Sequence, residues 1–214
     1  MSSGKRLLIV SIIAFIIPII MIVVMRDSLF KGVVATYEEA ALNRYDYVEQ
    51  WVSYDVIACL GCYAEETETT DFIETKHEYY YLIWMADGSI MPLSVSKKAD
   101  REYLDALTDA TYDYCDGKTK MIEMAPKTFV GMVTTQPNDA RKYYDEALVY
   151  MGTTETEGWT VRYELLDCTG SRAKNIAMVG GFTLVPILIM AYAIFKIRKE
   201  NEQVKHQEDY YLPK

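Results

Sequence analysis

The 214 residues are half hydrophobic, one quarter charged, and carry a formal net charge of −9, an acidic balance that argues against a nucleic-acid partner. Two long uncharged runs occupy the ends, so what remains between them is enough for one globular domain.

The first run, Leu7 to Met25, covers nineteen positions without a charge. At about 1.5 Å per residue it can cross a hydrocarbon core of roughly 30 Å. Pro18 lies mid-span, which a membrane helix tolerates. Lys5 and Arg6 would also serve a signal peptide, but the run exceeds an ordinary signal core and no A-x-A-like site follows. An uncleaved anchor is expected. The second run, Ile176 to Phe195, covers twenty positions, contains Pro186, and stops at Lys196-Ile-Arg-Lys199.

These runs divide the chain into a tail (1–6), a span (7–25), a displayed domain (26–175), a second span (176–195) and a tail (196–214). Basic residues favour both termini inside: Lys5 and Arg6 at one end, and Lys196, Arg198, Lys199 and Lys205 at the other, against Arg26, Lys31, Arg172 and Lys174 on the loop side. The expectation is a multi-pass plasma-membrane protein with cytoplasmic termini and the domain outside. The stretch from Arg26 to Asn175 holds 27 acidic and 15 basic residues, a net −12. It suits a cation or a basic partner, although most acidic surfaces are simply solvated.

Residues 33–52 repeat apolar positions near a 3.6 spacing and read as a juxtamembrane helix. Residues 54–64 read as a strand, and the acidic, threonine-rich 65–75 as a loop or edge hairpin. From Tyr79 to Val95 the chain reads as a β-hairpin with Asp87-Gly88 in a type I′ turn. That turn pairs Ala86 with Ser89, Trp84 with Met91, Leu82 with Leu93 and Tyr80 with Val95. Pro92 places its strand at an edge.

Residues 99–115 form an amphipathic helix, with Tyr103, Leu104, Leu107, Ala110, Thr111 and Tyr114 as its apolar stripe and Asp100, Asp105, Asp109 and Asp113 facing solvent. Residues 128–135 form a strand. A helix over 139–151 follows, capped by Asn138 and ended by Gly152. Residues 159–166 alternate as a strand. The fold class is α+β: an antiparallel-type sheet of about five strands with helices on one face, flanked by two transmembrane helices.

An aromatic hairpin with a D-G tip, an acidic helix, a P-x-x-F-x-G strand (Pro126, Phe129, Gly131) and a helix ending L-x-x-M-G (Leu148, Met151, Gly152) follow one another from Tyr79 to Gly152. This third of the chain resembles an uncharacterised family of two-span bacterial membrane proteins with a small extracytoplasmic α+β domain. The resemblance implies a bacterial plasma membrane and supplies no catalytic residues.

Four cysteines, Cys59, Cys62, Cys115 and Cys168, allow disulfides in an oxidising compartment. Bridging Cys168 to Cys59 or Cys62 would tie the domain's end to its first strand. Cys59-Leu-Gly-Cys62 has redox spacing, but three apart on a strand the sulfurs point to opposite faces unless Gly61 makes a bulge or turn.

No zinc site is expected: His77 is the only histidine of the displayed domain, and His206 lies in the tail. Glu65, Glu66, Glu68, Asp71 and Glu74 cluster without a cation-loop pattern. No nucleophile elbow, phosphate loop or dinucleotide fingerprint occurs. No cofactor is expected.

Eighteen tyrosines suggest an interface, for which Tyr79, Tyr81, Tyr143 and Tyr144 are candidates. In the second span Ala177, Gly180 and Gly181 form a small-residue pattern suited to helix packing. The expected function is a non-catalytic protein-binding or sensing module at the membrane, with a protein partner or a second copy engaged through the outer domain or second span. The alternatives are a membrane-tethered thiol redox protein using Cys59 and Cys62, and an accessory subunit of a transporter.

Overall fold

The computed structural model describes residues 3–42, 47–70 and 73–211. The chain divides into two compact units, one made of both ends (Met1–Phe30 with Arg172–Lys214) and one of the middle (Lys31–Ser171).

In the first unit, α1 (Ser3–Ala14) and α2 (Ile16–Val24) form one apolar stretch, followed by the short α3 (Arg26–Phe30). The break at Phe15 lies three residues before Pro18, whose missing N–H leaves a carbonyl of the preceding turn without its usual donor. The other helix, α7 (Arg172–Tyr211), runs for 40 residues through Pro186. Both are long and apolar enough to cross a membrane.

They pack as an antiparallel hairpin. Near one end Lys196 Nζ donates to Ser3 Oγ at 2.9 Å, and near the other Arg172 Nε donates to the Leu29 carbonyl at 2.9 Å. The buried positions are Gly4, Ser11 and Pro18 on one side and Val179, Pro186 and Ala193 on the other. Each set repeats every seven residues, the period that keeps one seam facing a partner helix. Gly4 lets the backbones approach, since a Cβ there would lie 2.6 Å from Ile197 Cγ1.

The middle unit is α+β. Its elements are β1 (Ala35–Thr36), α4 (Tyr37–Leu42), β2 (Trp51–Val56), β3 (Ala58–Thr70), β4 (Ile73–Trp84) and β5 (Ser89–Val95). Then come α5 (Lys98–Cys115), β6 (Lys127–Thr135), α6 (Asn138–Met151), a 3₁₀ turn at Glu155–Glu157, β7 (Thr160–Val161) and β8 (Glu164–Asp167). Among the described residues eight strands form one sheet in the order β1-β2-β6-β8-β5-β4-β3, with β7 also paired to β5. The sheet is mixed, not antiparallel throughout: β1 runs parallel to β2, and β7 and β8 run parallel to β5.

Several expectations are corrected here. The expected helix over 33–52 survives only as α4; β1 precedes it, β2 starts at Trp51, and residues 43–46 lie outside the described residues. The single strand expected over 54–64 is the end of β2 and the start of β3, and 65–75 extends β3 and β4 as hairpin arms. The strand over 159–166 is split at Arg162-Tyr163.

Helices cover both faces of the sheet, not one. Leu104 and Leu107 of α5 pack in one core with Tyr81 and Ile83 of β4. Tyr144 and Leu148 of α6 pack with Leu82, and Ala140 packs with Tyr80, on the opposite face. All seven residues of β5 are buried, the burial expected of an inner strand covered on both sides.

That double burial explains why the hairpin register differs from the expected one. The observed pairs are Trp84 with Ile90, Leu82 with Pro92, Tyr80 with Ser94 and Tyr79 with Val95, one residue away from the expectation. Met85 N–H donates to the Ser89 carbonyl at 2.8 Å, enclosing a three-residue loop, Ala86-Asp87-Gly88, with Gly88 at φ +83. With apolar side chains on both faces, matching them across the hairpin did not distinguish two registers a single residue apart. Pro92 sits in an inner strand. It is tolerated because β5 pairs with β7 at Ser89–Ile90 and with β8 at Leu93–Ser94, leaving the interval between them.

Candidate functional site

An open cleft of about 580 Å³ lies at one end of the sheet in the middle unit. Three segments build it. The corner between β2 and β3 contributes Ile57 and Ala58, the end of β4 contributes Trp84 and Met85, and the loop after α5 contributes Lys120, Met121, Ile122 and Met124. Tyr114 closes one side. The lining is mostly apolar and leaves large side chains in the open: Met121 is 65% exposed and Tyr114 41%. Lys120 adds one positive charge.

The walls are held from outside the cleft. The loop after α5 is fastened near its start, where Lys118 Nζ reaches Asp113 at 2.8 Å and Asp116 at 3.1 Å. Beyond it, Lys127 pairs with Asp100 at 2.8 Å, and Tyr103 donates to the Ala125 carbonyl at 2.9 Å. The Trp84 ring packs edge-on to Trp159 with centroids 5.7 Å apart.

Arg162 fixes the hairpin tip. Its Nη2 donates to Asp87 Oδ2 at 2.6 Å and its Nε to Ser89 Oγ at 2.9 Å. Ser89 N–H donates to Asp87 Oδ1 at 2.9 Å, and Ala86 N–H donates to Tyr54 Oη at 3.1 Å. The network runs on through Glu164, whose Oε1 accepts from Tyr37 at 2.6 Å and from Tyr47 at 2.9 Å.

Charge and burial oppose one another in this cluster. Burial raises Glu164 and Asp87, but hydrogen bonds from Tyr37 and Tyr47 to the first, from Ser89 to the second, and the Arg162 charge outweigh it; both stay below their ordinary values. Burial, reinforced by Glu164, raises Tyr37, and burial pushes Tyr54 up to about 12. Both tyrosines therefore stay protonated, Tyr37 donating to Glu164 and Tyr54 accepting from the Ala86 N–H. The polar groups are mutually satisfied, so the network reads as a scaffold for the tip.

The structure separates the residues singled out in the sequence. Cys59 and Cys168 are buried, Cys62 and Cys115 exposed, and all four are free thiols. Cys59 lies on β3 and Cys168 follows β8, with β5 and β4 between those strands. Three strand spacings make about 14 Å, beyond the roughly 7 Å limit of a disulfide, which corrects the bridge considered above.

Tyr81 and Tyr144 are core residues, 1% and 0% exposed, so neither offers an interface. Tyr79 accepts a hydrogen bond from Arg101 at 2.8 Å, and the guanidinium lies over its ring. Tyr143 is exposed.

Three of the helix aspartates expected to face solvent are engaged: Asp105 accepts from Tyr81 at 2.6 Å, Asp100 holds Lys127, and Asp113 holds Lys118. His77 pairs with Thr67 at 3.1 Å on the hairpin arm. Of the acidic cluster, Asp71 and the side chains of Glu68 and Glu74 lie outside the described residues, as does the side chain of His206.

Among the described residues no group of three potential ligands is placed to hold a metal. Ala177, Gly180 and Gly181 are exposed, and a Cβ on either glycine would meet nothing within 4 Å, although Gly180 lines a groove shared with Ile22 and Leu29.

Sequence reasoning missed both the cleft and the Arg162 network. Arg162 and Glu164 lie two residues apart, but Asp87 is 75 residues before Arg162 and no motif links them. The three cleft methionines, Met85, Met121 and Met124, have no shared periodicity.

No curated protein and no solved structure matches the chain. A family model, Domain of unknown function (DUF8577), matches residues 1–199, and this chain belongs to that family.

Proposed function

We propose that this protein is a membrane-anchored, non-catalytic sensing module whose displayed domain binds a small apolar organic anion in the cleft beneath the β4–β5 hairpin tip. The observation that carries this reading is the cleft. It has a volume in the range of small-ligand sites, about 580 Å³, apolar walls, and one cation, Lys120. Methionines suit such a site because their flexible thioethers adapt to a ligand's shape.

The anchoring part of the reading rests on the two apolar helices and the basic residues beyond them, which favour cytoplasmic termini and an outer domain. Exposed Cys115 reports on it. A membrane-impermeant maleimide added to intact cells is expected to label Cys115; labelling only after permeabilisation would reverse the orientation.

Binding is tested by thermal unfolding of the full chain with increasing 4-phenylbutyrate, a short aromatic carboxylate. A ligand bound only by the folded state raises the midpoint with concentration. Lys120→Glu should abolish the rise. A midpoint that does not move, or that moves equally in the variant, contradicts the reading.

A protein-binding module is the second reading. Tyr143, Val149 and Tyr150 on α6 favour it, since they are 50%, 70% and 92% exposed. Recovery of one stoichiometric partner from detergent extracts, lost in Tyr150→Lys, would support it over the cleft; no such partner would remove it.

A further inference from the structure

The terminal unit has a groove of its own, with a volume of about 580 Å³. Arg172, Ile176, Gly180, Thr183, Leu184 and Ile187 form its floor, at the three- and four-residue spacing of one face of α7. Ile22 of α2 and Leu29 and Phe30 of α3 form the facing wall. Gly180 keeps the middle open, since a Cβ there would meet nothing within 4 Å. The Thr183 hydroxyl donates to the Val179 carbonyl at 2.8 Å and asks nothing of an occupant.

The groove has the length of one bilayer leaflet. From Ile176 to Ile187 α7 rises about 16 Å, close to half of a hydrocarbon core of roughly 30 Å. Arg172 stands one further turn out, about 6 Å beyond Ile176, where the apolar run of α7 has ended.

Arg172 is the one charged residue of the described lining. Its Nε donates to the Leu29 carbonyl at 2.9 Å and its Nη2 to the Phe30 carbonyl at 3.5 Å. A guanidinium has five N–H groups, so these two bonds hold the side chain at the groove's mouth and leave donors over. A planar fork of this kind matches phosphate oxygens. The two helix ends that meet there also carry Arg26 and Lys174, against one carboxylate, Asp27. That balance disfavours a headgroup with a cation of its own, such as choline.

We propose, on the basis of the anchoring reading above, that this groove holds one anionic phospholipid, with an acyl chain along α7 from Ile176 to Ile187 and the phosphate on Arg172. The lipid would fill the space between α7 and the α2–α3 junction and tie its headgroup to the same arginine that binds the end of α3. Neither the cleft of the middle unit nor its ligand enters into this site.

The test offers the full chain in detergent equal amounts of dioleoylphosphatidylglycerol and dioleoylphosphatidylcholine, and reads bound lipid by native mass spectrometry. One phosphatidylglycerol per chain should be retained, favoured over phosphatidylcholine by about tenfold, the scale of one charge-assisted hydrogen bond. Arg172→Gln should erase the preference, and Arg172→Lys should recover part of it. Gly180→Phe fills the groove without touching Arg172 and should abolish retention of both lipids; the open space at that position keeps its folding out of question. Equal retention of the two lipids, retention unchanged in Gly180→Phe, displacement by inorganic phosphate, or a lipid-free dimer seated on this face overturns the proposal. Anchoring is read separately, by flotation of the chain with phosphatidylcholine vesicles. A chain that stays out of the vesicles removes the anchoring reading and the proposal together, whereas one that floats but retains no phosphatidylglycerol removes the proposal alone.

Discussion

Arg162 Nη2 donates to Asp87 Oδ2 at 2.6 Å, joining the interval between β7 and β8 to the tip of the β4–β5 hairpin. The same guanidinium donates to Ser89 and lies over the Tyr37 ring, so one side chain holds three segments distant in sequence. Arg162→Met keeps the aliphatic stem and removes the donors. A hydrogen bond to a charged group is worth roughly 1.5–3 kcal/mol, and a loss of about 2 kcal/mol is expected in urea unfolding of the full chain. Arg162→Lys should restore little, because one ammonium does not reproduce the forked contact to Asp87 and Ser89. A variant as stable as the parent would show that the tip holds itself.

Acid should weaken the same cluster. Glu164 and Asp87 both titrate below their ordinary values of 4.5 and 3.8 in the folded chain. A carboxylate depressed on folding stabilises the native state above its unfolded pKa, and that contribution disappears as pH falls through the folded value. Stability should therefore be level near neutral pH and fall through the acid range below those values. Glu164→Gln should lower stability at neutral pH and make the acid fall shallower. The urea midpoint measured against pH checks both effects; an acid limb identical in parent and variant would remove Glu164 from the account.

Gly131 on β6 is placed for closeness to the next strand. A Cβ there would lie 2.7 Å from the Asp167 carbonyl oxygen, 2.8 Å from Cys168 Sγ and 2.9 Å from Leu166 Cδ1. The first of these is backbone of β8, so relief requires the strands to part. Gly131→Ala should cost about 1–3 kcal/mol, the usual range for overpacking. An unchanged unfolding midpoint would mean that β8 moves freely.

That glycine also marks where local sequence stops specifying the fold. The run Pro126, Phe129, Gly131 marked a strand, and β6 is there, but its neighbour was not legible. The two apolar runs, α5 with its Leu104–Leu107–Thr111 stripe, and α6 ending at Gly152 follow from local periodicity. The faces of the sheet do not. β5 is apolar on both sides because α5 and α6 lie on opposite faces, and an alternation-based argument has no purchase on such a strand. The bulge at Gly61, where Leu60 and Gly61 share one partner position on β4, is a condition that the sequence could pose but not decide. The Arg162 network and the cleft arise only when separated segments meet.

The cleft is the claim on which the functional reading turns, and methyl NMR of the methionines reports on it most directly. The chain has eleven methionines, of which Met85, Met121 and Met124 line the cleft and, apart from Met1, four lie in the terminal unit: Met21, Met25, Met178 and Met190. With the full-length protein in detergent, 4-phenylbutyrate should shift the three cleft methyls saturably, leave the terminal four unmoved, and lose its effect in Lys120→Glu. Shifts spread over all the methionines in proportion to added ligand, or none at the cleft, would contradict the account.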